Sequence, residues 1–411
     1  MTLANGRKIL MLPGPTTVPD EVLQAMHRPA IDIREGELVE MTDRCLADLK
    51  SIFDTTGDTF IYAANGHGAW EAALSNTLSR GDTVLVLQSG AFAMGWGEMA
   101  GMLGLNVEVL PGDWRKAVDA NALEARLRQD SGHAIKAILT VQIDTASSVI
   151  NDIPALRAAI DAAGHPALFM VDTIASLACV PFRMDAWGVD LALSGSQKGL
   201  MTPPGLSFVA AGARAMKAHA TANLRTLYWD WTFRQGEAHY KKYCGTPPVQ
   251  MIFAFRKALD LLLAEGLDGA HTRHRLLAEA VRACVGVWTK AGALEFNILD
   301  PDTRANSVTV VLTPGRDPAR LRDFCKDTCG LTIGETIGEI AGTGFRIGHM
   351  GHVNAPAVLG ALATIELGLS ALSIPHGAGG LQAATDHLAN ALREERAETG
   401  SARMSAAAAR L

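Results

Sequence analysis

The chain has 411 residues, 48% of them hydrophobic and 19% charged, with a formal net charge of −6. That length exceeds what one compact core supports, so two domains are expected, and the composition is that of a soluble globular protein. The mild negative charge argues against nucleic acid or an anionic membrane as partner, and no apolar run reaches membrane-spanning length.

From about residue 58 to 210, short apolar runs alternate with helical patterns, as in a parallel sheet covered by helices on both faces. Strands are expected at 59–62, 83–87, 107–110, 135–141, 167–171, 190–194 and 206–210. Helices are expected between them at 66–78, 92–103, 121–128 and 153–163. Near residue 250 the character changes to two long helices, 250–265 and 269–288, joined by Gly266-Leu267-Asp268. A strand (307–312), a helix (318–328), a strand (345–348) and a final helix (356–372) follow, the pattern of a smaller α+β domain. The expected division is an arm at 1–20, a large domain at 21–265, a small domain at 266–395 and a frayed tail at 396–411.

Two residues stand out. Asp172 ends the apolar run Ala167–Val171, and Lys198 lies in Ser194-Gly-Ser-Gln-Lys-Gly199 between two core strands. Alone, a lysine in a Gly/Ser turn is usually a solvated surface residue, and an aspartate after a strand is usually a cap. Here the rigid turn Met201-Thr-Pro-Pro-Gly205 pins the lysine against a following strand, where a flexible surface residue is out of place. An internal lysine can form a Schiff base with an aldehyde cofactor, and a strand-end acid can keep that cofactor's ring nitrogen protonated. Pyridoxal phosphate (PLP) chemistry needs both groups.

Candidates exist for its remaining needs. Asn65-Gly-His-Gly-Ala69 opens a helix after a strand, where backbone amides can hold a phosphate. Phe92 opens another helix and can stack on a ring or simply pack in the core. Thr145, past a strand end, can reach a phenolic oxygen or cap a helix. Arg346, in a strand, can clamp a carboxylate with two bonds or lie on the surface.

Together these stretches resemble the class V, fold-type I PLP-dependent aminotransferases, closest to the serine/alanine–glyoxylate aminotransferases, with an aspartate–glyoxylate member also within the pattern. The resemblance runs from Met11-Leu-Pro-Gly-Pro15 to His376-Gly-Ala-Gly-Gly380. Its most specific stretches are Val171–Ser176, Ser194–Lys198 and Pro203–Gly205, with Pro111–Trp114, Trp229–Trp231, Tyr243–Thr246 and Phe345–His349 in support. It implies an α/β fold with a mainly parallel seven-stranded sheet in the large domain. Lys198 would be the Schiff-base lysine and proton carrier, Asp172 the partner of the ring nitrogen, and Phe92 the stacking ring. Gly66, His67 and Gln197 would line the phosphate and cofactor pocket, and Thr145 would face the phenolic oxygen. Arg346 would bind the substrate carboxylate under Pro13-Gly14-Pro15. Tyr243 and Thr246 match residues that reach a neighbouring subunit's phosphate, which implies a homodimer, with a tetramer as the alternative.

One departure bears on the substrate. The family reads Glu-Thr-Ser-Thr-Gly or Glu-Ser-Ser-Thr-Gly where this chain has Asp144-Thr-Ala-Ser-Ser148, and Gln142-Ile143 replaces His-Asn or His-Gly. The expected reaction is transfer of an amino group from L-serine, or from L-aspartate or L-alanine, to glyoxylate. An aspartate donor needs a second cation, for which Arg34, His67 and Arg234 are the candidates. The alternatives on the same scaffold are a lyase, a desulfurase or a pyridoxamine-type transaminase. A desulfurase needs a nucleophilic cysteine on a mobile loop. Cys325 and Cys329, on an expected helix, suit that poorly, and they lack the second pair a zinc site needs, so no metal is expected. Gly-x-Ser-x-Gly is absent, and the Lys198 stretch does not fit a phosphate-binding Gly-x4-Gly-Lys-Ser/Thr loop, which argues against a serine hydrolase or nucleotide-binding protein. Reduced thiols and an N-terminus without a signal segment point to the cytoplasm. Ala409-Arg-Leu411 resembles a peroxisomal address, but it ends an Ala/Arg-rich tail and is better read as coincidence.

Overall fold

The computed structural model describes residues 2–408, with side chains as far as residue 394; Ala409-Arg-Leu411 lies outside the described residues. The strands in chain order are β1 (Ile9–Met11), β2 (Asp58–Tyr62), β3 (Thr83–Leu87), β4 (Asn106–Leu110), β5 (Ile135–Val141), β6 (Ile143–Asp144) and β7 (Val149–Ile150). They continue with β8 (Leu168–Asp172), β9 (Leu191–Gly195), β10 (Ser207–Ala211), β11 (Glu295–Phe296), β12 (Val308–Leu312), β13 (Leu331–Glu335) and β14 (Gly344–Gly348).

Seven strands form the larger sheet in the order β2-β10-β9-β8-β5-β3-β4. The strands from β9 to β4 are parallel, and β10 alone runs antiparallel to both its neighbours. In β8, Phe169 and Val171 join one apolar cluster with Phe53, Phe208 and Phe255, while Leu168 and Met170 join another with Trp70 and Trp96. That two-residue alternation buries both faces, which is why the strands read as continuous apolar runs. The helix Gly66–Thr77 follows β2 and the helix Ala91–Met102 follows β3, so both helix N-termini and the end of β8 open at the same edge of the sheet.

The smaller sheet has the order β1-β13-β14-β12-β11, with β1 parallel to β13 and the other pairs antiparallel. Its core gathers Phe345, Ile347 and Val311 against Trp288, Val281 and Ile365 from the helices Leu267–Trp288 and Ala355–Ala371.

Several elements differ from expectation. Only Gly266, at φ +79°, separates the two long helices, because its left-handed backbone turns the chain in one residue. The 318–328 helix is α from Ala319 to Asp323 and then widens into a π-helix over Phe324–Thr328. The final element is not the helix near residue 372 but a further one, Gly380–Ala408. Leu381, Ala384 and Leu388, at helical spacing, pack into the cluster that holds Trp288, and this tertiary contact outweighs the polar character of the surrounding sequence.

Candidate active site

Asp172 is the last residue of β8 and is 2% exposed. Its two oxygens are both engaged: Oδ2 accepts the Trp70 indole N–H at 2.6 Å and Oδ1 accepts the Ile174 amide at 2.6 Å. Burial pushes its carboxyl up to about 7 against those hydrogen bonds, with the neighbouring Asp144 adding to the rise. Lys198 lies on the loop from β9 to β10, 8% exposed. The Ser196 hydroxyl braces that loop by donating to the Pro203 carbonyl at 2.7 Å and accepting the Leu206 amide at 3.2 Å. Burial holds the Lys198 ammonium down to about 8, and Arg346 lowers it further.

The arm after β1 covers the lysine. Lys198 Nζ donates to the Pro13 carbonyl, and the Thr16 amide donates to the Gln197 carbonyl at 3.0 Å. Gly14, at φ +108°, passes so close that a Cβ there would stand 2.4 Å from Lys198 Nζ. Only glycine fits this crossing.

A cavity of about 240 Å³ lies beneath the arm, and Gly14, Gly66, His67, Phe92, Thr145, Asp172, Gln197 and Lys198 all line it. Eight of the residues singled out from the sequence thus meet in one place. Asn65 caps the helix Gly66–Thr77, its side chain accepting the Gly68 amide at 3.3 Å. The amides of Gly66 and His67 precede any intrahelical acceptor at that helix N-terminus, a ready anion site. A Cβ on Gly66 would meet Ile174 Cδ1 at 2.4 Å, so a side chain there would displace the end of that residue.

Three sets of expected site residues stand apart from the cavity lining. Arg346, on β14, is not among the residues lining the cavity; its Nη1 donates to the carbonyl of Thr145, which is, at 3.0 Å. Tyr243 does not present its hydroxyl outward: the ring is buried, and the hydroxyl hydrogen-bonds Thr42 Oγ1 at 2.9 Å, a group that also engages His239 Nε2. Thr246 is exposed. Arg234 is a structural residue, with its guanidinium donating to the carbonyls of Ile61, Tyr228 and Lys242 above the Tyr62 ring. Arg34 is exposed and away from the cavity, so of the three cations weighed for a second carboxylate only His67 is in place. Burial lowers its pKa, which favours the neutral ring.

Two residues were missed. Trp70 lines the cavity and holds Asp172; it follows His67 by three residues on one helix face, and a buried indole needs an acceptor for its N–H, so the signal was present. Asp144 is wholly buried beside Phe92 and Thr145, and burial pushes its carboxyl up to about 6. The sequence marked it only as the first residue of the segment that departs from the family pattern and gave it no role of its own.

A mainly parallel sheet, a lysine on the loop after a buried strand and an aspartate at a neighbouring strand end define a fold-type I PLP-dependent enzyme. The chain belongs to the class V aminotransferases, whose family profile matches residues 10–342. It is 38% identical over 392 residues to the serine–glyoxylate aminotransferase of Methylorubrum extorquens, covering 93% of this chain and 96% of that one. It is 36% identical over 383 residues to the L-aspartate–glyoxylate aminotransferase of Paracoccus denitrificans, covering 92% and 95%. Among solved structures, the ureidoglycine–glyoxylate aminotransferase of Bacillus subtilis superposes with a TM-score of 0.84 at 27% identity, over 94% of this chain and 99% of that one.

The cofactor is pyridoxal phosphate, and the residues present fit it. The Gly66 and His67 amides are unengaged donors at an anion-binding helix end, and the Asp172 carboxyl is buried without a cation in contact.

Proposed function

We propose that this aminotransferase transfers the amino group of a small L-amino acid, with L-serine first and L-aspartate or L-alanine as alternatives, to glyoxylate, forming glycine. One observation carries the reading: Lys198 and Asp172 face a single buried cavity in a chain 36–38% identical to relatives named as serine– and L-aspartate–glyoxylate aminotransferases. Bound pyridoxal phosphate supplies an electron sink for the electrons released at the substrate's Cα. Lys198 would hold the cofactor through its aldehyde, and its amine is the group placed to carry a proton to and from the substrate's Cα. With its ammonium held down to about 8, a useful fraction of the amine is free near neutrality. Asp172 would hold the proton of the ring nitrogen, and Phe92 would stack on the ring. Gly66, His67 and Gln197 would line the phosphate and cofactor pocket, and Thr145 would face the phenolic oxygen.

Arg346 binds the substrate carboxylate by exchanging its bond to the Thr145 carbonyl for a charged acceptor, and the arm at Gly14 excludes water above. The active form is a homodimer to which Thr246 contributes, and its compartment is the cytoplasm. The test is a panel of L-serine, L-aspartate and L-alanine against glyoxylate, pyruvate and 2-oxoglutarate, followed as half-reaction absorbance changes. Turnover of one of the three donors with glyoxylate is expected. A preference for 2-oxoglutarate over glyoxylate would overturn the assignment.

A further inference from the structure

Asp144 is a buried carboxylate with no task in the reaction outlined above, yet it touches the backbone of two residues assigned to the cofactor. It closes β6 and is 0% exposed. Its Oδ2 accepts the amides of Phe92 at 3.0 Å and Ala93 at 3.1 Å, the second and third residues of the helix Ala91–Met102. Its Oδ1 accepts the amide of Ala146 at 2.9 Å and so fixes the turn that carries Thr145. The helix has no cap of its own. Its N-cap is Gly90, and a Cβ there would stand 2.3 Å from the Asp144 carboxyl carbon. A carboxylate from a different strand therefore occupies the place of the N-cap side chain, where two free amides and the helix dipole favour a negative charge.

The two oxygens hold two separate stretches of the cavity lining. One sets the helix end that presents the Phe92 ring, and the other sets the peptide that presents Thr145 and, through the Thr145 carbonyl, Arg346. A cap from residue 90 would serve the helix alone. Resting on the reading of this cavity as the pyridoxal phosphate site, we propose that Asp144 is its positioning residue, fixing the spacing between the stacking ring of Phe92 and the Thr145 hydroxyl across the bound cofactor.

The proposal separates positioning from capping. Asp144→Asn keeps one acceptor oxygen but turns an amide N–H₂ towards the amides that Asp144 accepts. Asp144→Glu keeps the charge. In the double variant Gly90→Asp/Asp144→Ala, residue 90 supplies a local cap in the space Asp144 leaves; Gly90 has an extended φ of 167°, which any residue adopts. Holoenzyme and apoprotein of each are compared by melting temperature, by the dissociation constant for added pyridoxal phosphate and by visible circular dichroism per bound cofactor.

Asp144→Asn is expected to weaken cofactor binding by about ten-fold or more, the equivalent of one lost charged hydrogen bond, and to halve the visible dichroism roughly. Asp144→Glu should stay within about three-fold of wild type, since charge and acceptors remain. The double variant should regain the melting temperature of the apoprotein but not the dichroism. Recovery of both in the double variant, or wild-type binding and dichroism in Asp144→Asn, would make Asp144 a helix cap only. If Asp144→Asn fails to fold, the double variant decides alone, and its failure to regain dichroism when folded upholds the proposal. A wild-type protein that takes up no pyridoxal phosphate would instead overturn the reading of the site, and this inference with it.

Discussion

Replacing Asp172 by asparagine tests whether the cavity is built around a positive charge brought in from outside the chain. Burial carries the Asp172 carboxyl from its usual 3.8 to about 7. Ionising it within the apoprotein thus costs about 4 kcal/mol more than ionising it in water. The sign follows from linkage: a raised pKa gives stability that is present at low pH and lost as pH rises through about 7. Asparagine carries no charge at any pH, but its amide nitrogen must face one of the two N–H donors, Trp70 Nε1 or Ile174 N, and forfeits about 1–2 kcal/mol.

At pH 9 Lys198 is above its value of about 8 and largely neutral in both proteins. There apo Asp172→Asn should be more stable than the apo wild type by ~2–3 kcal/mol, or ~3 °C in melting temperature for a chain of this length. The advantage should vanish near pH ~4.5, where the carboxyl is protonated in the fold. With pyridoxal phosphate bound the order should reverse, because only the carboxylate gains a charged partner. Paired thermal melts of apo and holo forms across this pH range provide the measurement. An apo variant less stable than wild type by the same margin at every pH would mean that Asp172 is a neutral structural cap.

Covalent capture of pyridoxal phosphate, followed as growth of a yellow chromophore, should accelerate as pH rises through about 8, because only the neutral Lys198 amine attacks; a rate flat from pH ~6 to ~9 would contradict the buried environment of the amine. Gly14→Ala drives a Cβ to 2.4 Å from Lys198 Nζ at a φ of +108°, so kcat should fall by about ten-fold or more while far-UV dichroism stays unchanged. Arg346→Lys should raise KM for donor and acceptor alike by about ten-fold, since an ammonium replaces a two-bond clamp; an unchanged KM would remove Arg346 from substrate binding.

The strands around the site were legible because each is buried on both faces, which leaves an unbroken apolar run ended by a polar residue. Asp172 and Lys198 were legible for the same reason: a charged residue next to a core strand is conspicuous. The side chains of Tyr243, Arg234 and Arg346 were harder to place. Their residue types fit ligand contact equally well, and what decides is a tertiary partner: Thr42 for Tyr243, a set of backbone carbonyls for Arg234, the Thr145 carbonyl for Arg346. Asp144 shows the limit most clearly. Its role depends on Gly90 lacking a side chain, and 54 positions separate the two residues in sequence. The Gly380–Ala408 helix was obscured because its docking stripe, Leu381, Ala384 and Leu388, is sparse in an otherwise polar stretch.

β1 is an edge strand of the smaller sheet, paired along Ile9–Met11 with β13, and only Leu12 and Pro13 separate it from the glycine lying against Lys198. Two residues of extended chain span about 7 Å and allow very little slack. Gly348 adds a second tie, since a Cβ there would meet the Leu12 carbonyl at 2.2 Å. The roof of the cavity therefore belongs mechanically to the smaller sheet, whereas its floor, at Asp172 and Lys198, belongs to the larger. The Thr16 amide in turn donates to the Gln197 carbonyl, so the backbone joins the edge strand of the smaller sheet to the lysine loop of the larger.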